Sequence, residues 1–393
     1  ARHASRSAGI ALSRTSAHTV TNISGRNARL SPMTIATALV TANTPDPQLA
    51  EEAVATALVA SGIAHASAVL LFLTPEFTRH AQAAVTGAAR RAQCMQVTGG
   101  IAAGVFTESG WALDRPAAAV LVLGEGFSLK PCEHADSPLL GLARASPPSD
   151  WLAATPRFGA VFGDSFSANA APETPSLWQQ GRLSSAPCFS LQLSGAEMDI
   201  GLSTGLKLLG KPQRIEQCTG FEVETLGNQP ATRHLIRALP PEMREVPARH
   251  LHHLSAMLFD TLPVPGQTGR AVAVIDATNS QTVTIAERVH RGQYLAWAIR
   301  QPLAAEAEMR DTVAGLSVAK PEFALMFSCI GRGPFFYGGE DRDLLALRER
   351  FPGLPILGTY GSGQLAPFLS TGKRATQQLH NTVVTALIGS APA

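Results

Sequence analysis

The sequence predicts an α/β protein of two domains, each a mixed β-sheet flanked by helices, the two built as similar halves. Three observations carry that prediction. Short apolar runs of strand length alternate with longer segments of helical spacing, the pattern of α/β folds. Neighbouring strand runs separated by short turns argue for mixed rather than purely parallel sheets. One order of parts (strand, loop, helix, strand, glycine-rich loop) occurs twice, over residues 67–104 and again over 323–363. The chain has 393 residues, more than one ordinary core holds, and its 45% hydrophobic and 16% charged residues mark a large interior.

Composition also excludes function classes. A formal charge of +2 gives no general attraction to nucleic acid or to an anionic membrane. No apolar run approaches the roughly 18 residues that a membrane-spanning helix needs. Cys94, Cys132, Cys188, Cys218 and Cys329 lie far apart without C-x-x-C spacing, so a disulfide framework is not expected and a reducing, cytoplasmic compartment fits.

Residues 1–32 differ from the rest. Arg2, Arg6, Arg14, Arg26 and Arg29 stand among Ser, Thr and Ala, and no acid precedes Asp46. That is the composition of an organelle transit peptide, which would imply import; a translated upstream region or an added extension is the alternative. In either case 1–32 is set aside as a disordered leader, with one domain over 33–237 and the other over 238–393.

In chain order, a strand is expected over 35–40, a helix over 48–59 behind Pro47, a strand over 67–73 and a helix over 77–91. A strand over 94–97 then leads into a glycine loop, Gly99 to Gly104. A strand follows over 120–123. Residues 129–156, rich in proline, read as a helix-poor surface excursion, and 188–193 as a strand. The three prolines of 238–249 mark the domain boundary. Beyond it come strands over 272–275, 283–286 and 293–299, a helix over 304–316, a buried strand over 323–327 and a helix over 340–350 stopped by Pro352. A strand over 354–360 and a closing helix over 375–388 complete the chain.

The segment FSCIGRG, Phe327 to Gly333, followed by a helix and then GTYGSGQLAP, Gly358 to Pro367, resembles the core of the FIST C-terminal domain, the family of F-box and intracellular signal transduction proteins. That family has an F-x-C-x-G-R segment ahead of a G-x-x-x-x-G-E segment; here Gln364 stands where the acid is expected. VTGGIAAGVF, Val97 to Phe106, is similar to the glycine motif of the FIST N-terminal domain, and the stretch from Met33 is similar to that domain's opening. The resemblance implies an intracellular sensory protein that binds a small molecule such as an amino acid and signals through a separate protein partner in trans; the charge balance and the lack of a spanning run leave neither nucleic acid nor membrane as an expected partner, and no resident cofactor is expected. A haem-bearing nitric oxide sensor and a Cys-dependent enzyme are the alternatives.

The ligand site is expected between the domains, with Cys329, Arg332, Gly361, Gly363 and Gln364 on one side and Gly99, Gly100 and Gly104 on the other. Cys329, three residues from Arg332, is either a thiolate stabilised by the guanidinium or a small buried hydrophobe. Arg332, flanked by glycines, is either a two-point grip on a carboxylate or a solvated loop residue. The glycine segments match neither a P-loop nor a dinucleotide fingerprint, so they are tight turns or loops whose N–H groups face a ligand. His250, His252 and His253 lack a carboxylate at metal-site spacing, and no G-x-S-x-G surrounds Ser165. No catalytic constellation or metal site is therefore expected.

Overall fold

The computed structural model describes residues 34–163, 176–264, 269–370 and 373–391. The leader and the Asp164–Ser165 pair lie outside them.

The α/β class with mixed sheets holds, and three of the four sheets share one topology. In the first, Ile35–Thr41 pairs antiparallel with Ala117–Leu123, which pairs antiparallel with Ala68–Leu73, which runs parallel to Val97–Ile101. In the second, the same order is Ser128–Pro131, Cys188–Ser194, Leu139–Ala143 and Arg157–Val161. In the third it is Ala196–Ser203, Val383–Ser390, Pro321–Cys329 and Ile356–Gly361. A helix joins each parallel pair, namely Ala81–Ala92, Ser149–Ala154 and Arg342–Arg350, as a parallel crossover requires.

Each copy sends a hairpin to the next sheet. Gly104–Thr107 and Gly110–Leu113 extend the third sheet, Leu177–Gln179 and Arg182–Ser184 the first, and Gly363–Ser370 and Lys373–Leu379 the second. One backbone hydrogen bond recurs at the same place in all three copies: Thr74 N to Ala117 O at 3.2 Å, Arg144 N to Pro187 O at 2.8 Å, and Cys329 N to Thr382 O at 3.0 Å. The two units read in the sequence thus do follow one plan, and residues 128–194 form a third.

Two local expectations are corrected. The supposed excursion 129–156 contains Leu139–Ala143, a strand buried along its whole length. The supposed closing helix 375–388 is two strands, Lys373–Leu379 and Val383–Ser390, turned at Asn381, whose φ is +57°. The cluster Thr382, Val383, Val384 and Thr385 is β-branched, which favours the strand.

The inner faces of the three sheets share one core. Phe72 meets Phe162 at 5.8 Å and Phe327 at 6.4 Å between ring centroids, and Phe158 meets Phe327 at 6.4 Å. Such a ring contributes about 1.5–3 kcal/mol on burial. Helices Gln48–Ser61 and Ala81–Ala92 cover the outer face of the first sheet, and alanines such as Ala50, Ala53 and Ala57, all fully buried, allow the close approach.

The fourth sheet is an insertion in the third copy. Leu254–Phe259, Arg270–Asp276, Val283–Ile285, Glu222–Leu226, Gln213–Thr219 and Tyr294–Arg300 pair in that order, and Tyr294–Arg300 pairs back onto Leu254–Phe259. These six strands therefore close as an antiparallel barrel. Residues 238–249, expected as a domain boundary, lie within this insertion, and Leu239 and Met243 belong to its core. Strands from both sides of 237/238 share three of the four sheets.

Candidate functional site at the strand ends of the third copy

Strand Pro321–Cys329 is buried from Phe323 onward, so its last residue delivers the chain to the surface beside Gly361, its parallel partner. A Cβ on Gly331 would stand 2.9 Å from Asn381 Oδ1. Two short 3₁₀ turns, Ile330–Arg332 and Pro334–Tyr337, then lead to helix Arg342–Arg350, capped by Asp341 accepting from Leu344 N at 2.9 Å.

Arg332 does not reach outward, which corrects the expected ligand grip. It is 1% exposed, and Asp343, fully buried, holds it two-point: Nε donates to Oδ2 at 2.9 Å and Nη2 to Oδ1 at 3.0 Å. Nη1 donates to Ser203 O at 2.9 Å, and Nη2 to Ser203 Oγ at 2.7 Å and Ala305 O at 3.1 Å. Glu308 backs the cluster by accepting from Ser203 Oγ at 3.1 Å and Thr204 Oγ1 at 2.8 Å. Burial alone would lower the Arg332 pKa, but Asp343 and then Tyr337 raise it overall; burial pushes Asp343 up while Arg332 pulls it back. The guanidinium thus pins the loop to strand Ala196–Ser203 and helix Pro302–Gly315 and, being buried, is not presented to solvent.

Arg300, at the end of barrel strand Tyr294–Arg300, occupies the position expected of Arg332. It is half-buried, donates to Gly331 O and lies 5.0 Å from the Phe336 ring centroid. No carboxylate pairs with it among the described residues. Burial lowers its pKa, Cys329 opposes that shift and Arg332 reinforces it. Asn381 Oδ1, Arg300 Nη2 and Cys329 Sγ lie 2.9, 3.6 and 3.8 Å from the point where a Gly331 Cβ would stand. Gly331 itself is exposed, and Arg300 and Asn381 are half-buried. Cys329 is 5% exposed, with Sγ 3.9 Å from Asn381 Oδ1.

The expected glycines are strand residues, not open loops. Gly99 and Gly100 pair with Leu71 and Phe72, Gly104 with Tyr360, and Gly363 with Val161. Their backbones are committed to sheet ladders, so only Gly361 adjoins Cys329 directly. Gln364 is fully buried; its Oε1 accepts from Thr382 Oγ1 at 3.0 Å, and its Nε2 has no partner among the described residues. His250, His252 and His253 end a 3₁₀ segment, Pro247–His253, and burial first, then His252 and Arg300, lower the His253 pKa. Among the described residues no group of three or more His, Cys, Asp or Glu gathers as metal ligands, and no helix is long and apolar enough to cross a membrane.

The sequence reading missed Arg300, Asn381, Asp341 and Asp343 as site residues. Asn381 was hidden by the helix expected over 375–388. Arg300 carries no local signal at all, because the barrel brings it to Cys329 across 29 residues of chain. The segment that supplies these groups has known relatives. Residues 231–367 match the FIST C domain. That domain is associated with sensory roles in signal transduction, and the match spans both Phe327–Gly333 and Gly358–Pro367, on which the resemblance rests. An uncharacterized protein of Mycobacterium tuberculosis strain H37Rv is 26% identical over 186 residues, 45% of this chain and 48% of the relative. One from Mycobacterium bovis is 25% identical over 174 residues, 42% of this chain and 45% of the relative. The chain thus aligns with about half the length of the curated relatives it matches.

Proposed function

We propose that this protein is a cytoplasmic sensory protein that binds a small carboxylate, an amino acid by class, at Arg300, Asn381 and Cys329, and signals through a protein partner in trans. The observation that carries the reading is the convergence of Arg300 Nη2, Asn381 Oδ1 and Cys329 Sγ within 4 Å of one point beside the exposed residue Gly331. A half-buried guanidinium without a carboxylate is poised to take one from a ligand in two-point fashion. The Asn381 carbonyl would accept from an ammonium, and the Phe336 ring bounds the site on the Arg300 side. Fixed placement comes from the Arg332–Asp343 pair beneath.

The test is a thermal-shift screen of amino acids and related carboxylates on protein shown by mass spectrometry to carry no ligand. A ligand at about 100 times its Kd adds roughly 2.7 kcal/mol, a shift of a few degrees in a chain of this size. Arg300→Ala should abolish the shift and Arg300→Lys should weaken it. No shift in ligand-free protein, or a shift that survives Arg300→Ala, overturns the reading.

A further inference from the structure

The inserted barrel carries a second cavity, remote in chemistry from the Cys329 site. Its volume is about 410 Å³, and Lys211, Gln213, Gly227, Gln229, His234 and Arg237 line it. Three separate elements meet there: the approach to strand Gln213–Thr219, the turn after Glu222–Leu226, and helix Ala231–Ala238. The turn is held by two residues in the left-handed region, Gly227 at φ +59° and Asn228 at +60°, so the rim has a fixed shape.

Lys211 and Arg237 are exposed, and neither pairs with a carboxylate among the described residues; Arg237 Nη1 donates only to the neutral Gln229 Oε1, at 2.9 Å. His234 is fixed as a donor. Trp297, 1% exposed, has one indole N–H to satisfy and gives it to His234 Nδ1 at 3.1 Å. With Nδ1 accepting, the neutral ring carries its proton on Nε2, and that N–H is the one polar group it can offer a ligand. Burial, and then the Arg237 charge, lower the His234 pKa, in keeping with this neutral form, while Glu216 is the nearby acid that acts against them. Glu216 accepts from Asn228 N at 3.4 Å.

We propose that this cavity binds the phosphate group of a small phosphorylated metabolite. Two unpaired cations match the charge of a phosphate dianion, and the imidazole N–H with the flanking amides supplies neutral donors from another direction. The volume leaves room for an organic moiety beside the phosphate. A carboxylate would use one cation and leave the other uncompensated.

Isothermal titration of the full chain with glycerol 3-phosphate, with inorganic phosphate and glycerol as comparisons, tests the assignment. Glycerol 3-phosphate should bind more tightly than inorganic phosphate, glycerol should not bind, and affinity should fall as salt rises. Lys211→Ala and Arg237→Ala should each weaken binding by about tenfold or more, since each removes a charge-assisted hydrogen bond. Both residues are exposed, so unchanged urea midpoints will show that the variants are folded. Arg300→Ala should leave this binding intact, which separates it from the carboxylate site. Absence of binding at millimolar glycerol 3-phosphate, or wild-type affinity in the double variant Lys211→Ala/Arg237→Ala, overturns the proposal.

Discussion

The parallel strand pairs of the first and third copies have the same register at their ends, Leu73 beside Ile101 and Ser328 beside Tyr360, yet they finish in opposite ways. In the first copy the chain leaves at Thr74, whose Oγ1 accepts from Ala117 N at 2.9 Å, and Phe77 then plugs the end, fully buried. In the third it leaves at Cys329 and enters a loop built on a buried ion pair, with an unpaired arginine beside it. Arg300 comes from the barrel inserted into the third copy. The scaffold is shared, and in the third copy an insertion brings a charge to the strand end. The two arginines also differ in their partners: Arg332 is buried on Asp343, whereas Arg300 is half-buried and has no carboxylate partner among the described residues.

The largest expected effect follows from the buried pair. Arg332→Ala or Asp343→Ala leaves an uncompensated charge in a site 1% exposed or less, at a cost of about 3–5 kcal/mol in urea unfolding. The double change Arg332→Met with Asp343→Leu should recover much of that loss, because it removes both desolvated charges together. A single-variant cost below about 1 kcal/mol would show that the pair is not what distinguishes the third copy from the first.

Much of this architecture was legible in the sequence, and the misses have physical causes. The units at 67–104 and 323–363 could be read because each has a helix long enough to show periodicity. The copy between them could not, since its helix, Ser149–Ala154, has only six residues and prolines interrupt its approach. The glycines were correctly associated with strand ends but misread as loops: bare backbone at Gly361 allows Val161 O to come within 2.7 Å of where a Cβ would stand, so the requirement is packing. Arg332 was singled out for its glycine neighbours. Those same glycines let the loop fold tightly enough to bury it, and its partner Asp343 is 11 residues away in the next helix, with no local signal linking the two.

A smaller effect concerns helix caps. The first copy's helix, Ala81–Ala92, begins at His80 with no side-chain cap, whereas Asp341 caps Arg342–Arg350 from a position 4% exposed and also accepts from Tyr360 Oη. Burial and the Asp343 charge push Asp341 up to about 6, against an ordinary value of 3.8. The folded state therefore binds this proton more tightly than the unfolded state. Its stabilising contribution is fully present below pH 3.8 and is lost as pH rises through about 6. Asp341→Asn keeps a good capping oxygen and removes the titration. Between pH 4 and 7 the variant should gain on the wild type by on the order of 2 kcal/mol, read from urea midpoints across that range. A constant difference between the two proteins would mean that the carboxylate is not destabilised by burial.

The smallest effect is the one that decides between anchor and site. Arg300 makes a single hydrogen bond to Gly331 O, has no carboxylate partner among the described residues and has a pKa lowered chiefly by burial. Removing it forfeits one interaction but also relieves an uncompensated charge from partial desolvation, and the two terms oppose each other. Arg300→Ala should therefore change the urea midpoint by less than about 1 kcal/mol equivalent, well below the loss at Arg332. Groups kept for ligands carry little of the fold's stability in the free protein, so their removal is felt only when ligand is added. A loss at Arg300 as large as that at Arg332 would make both arginines structural, leaving the third copy's strand end as firmly sealed as the first.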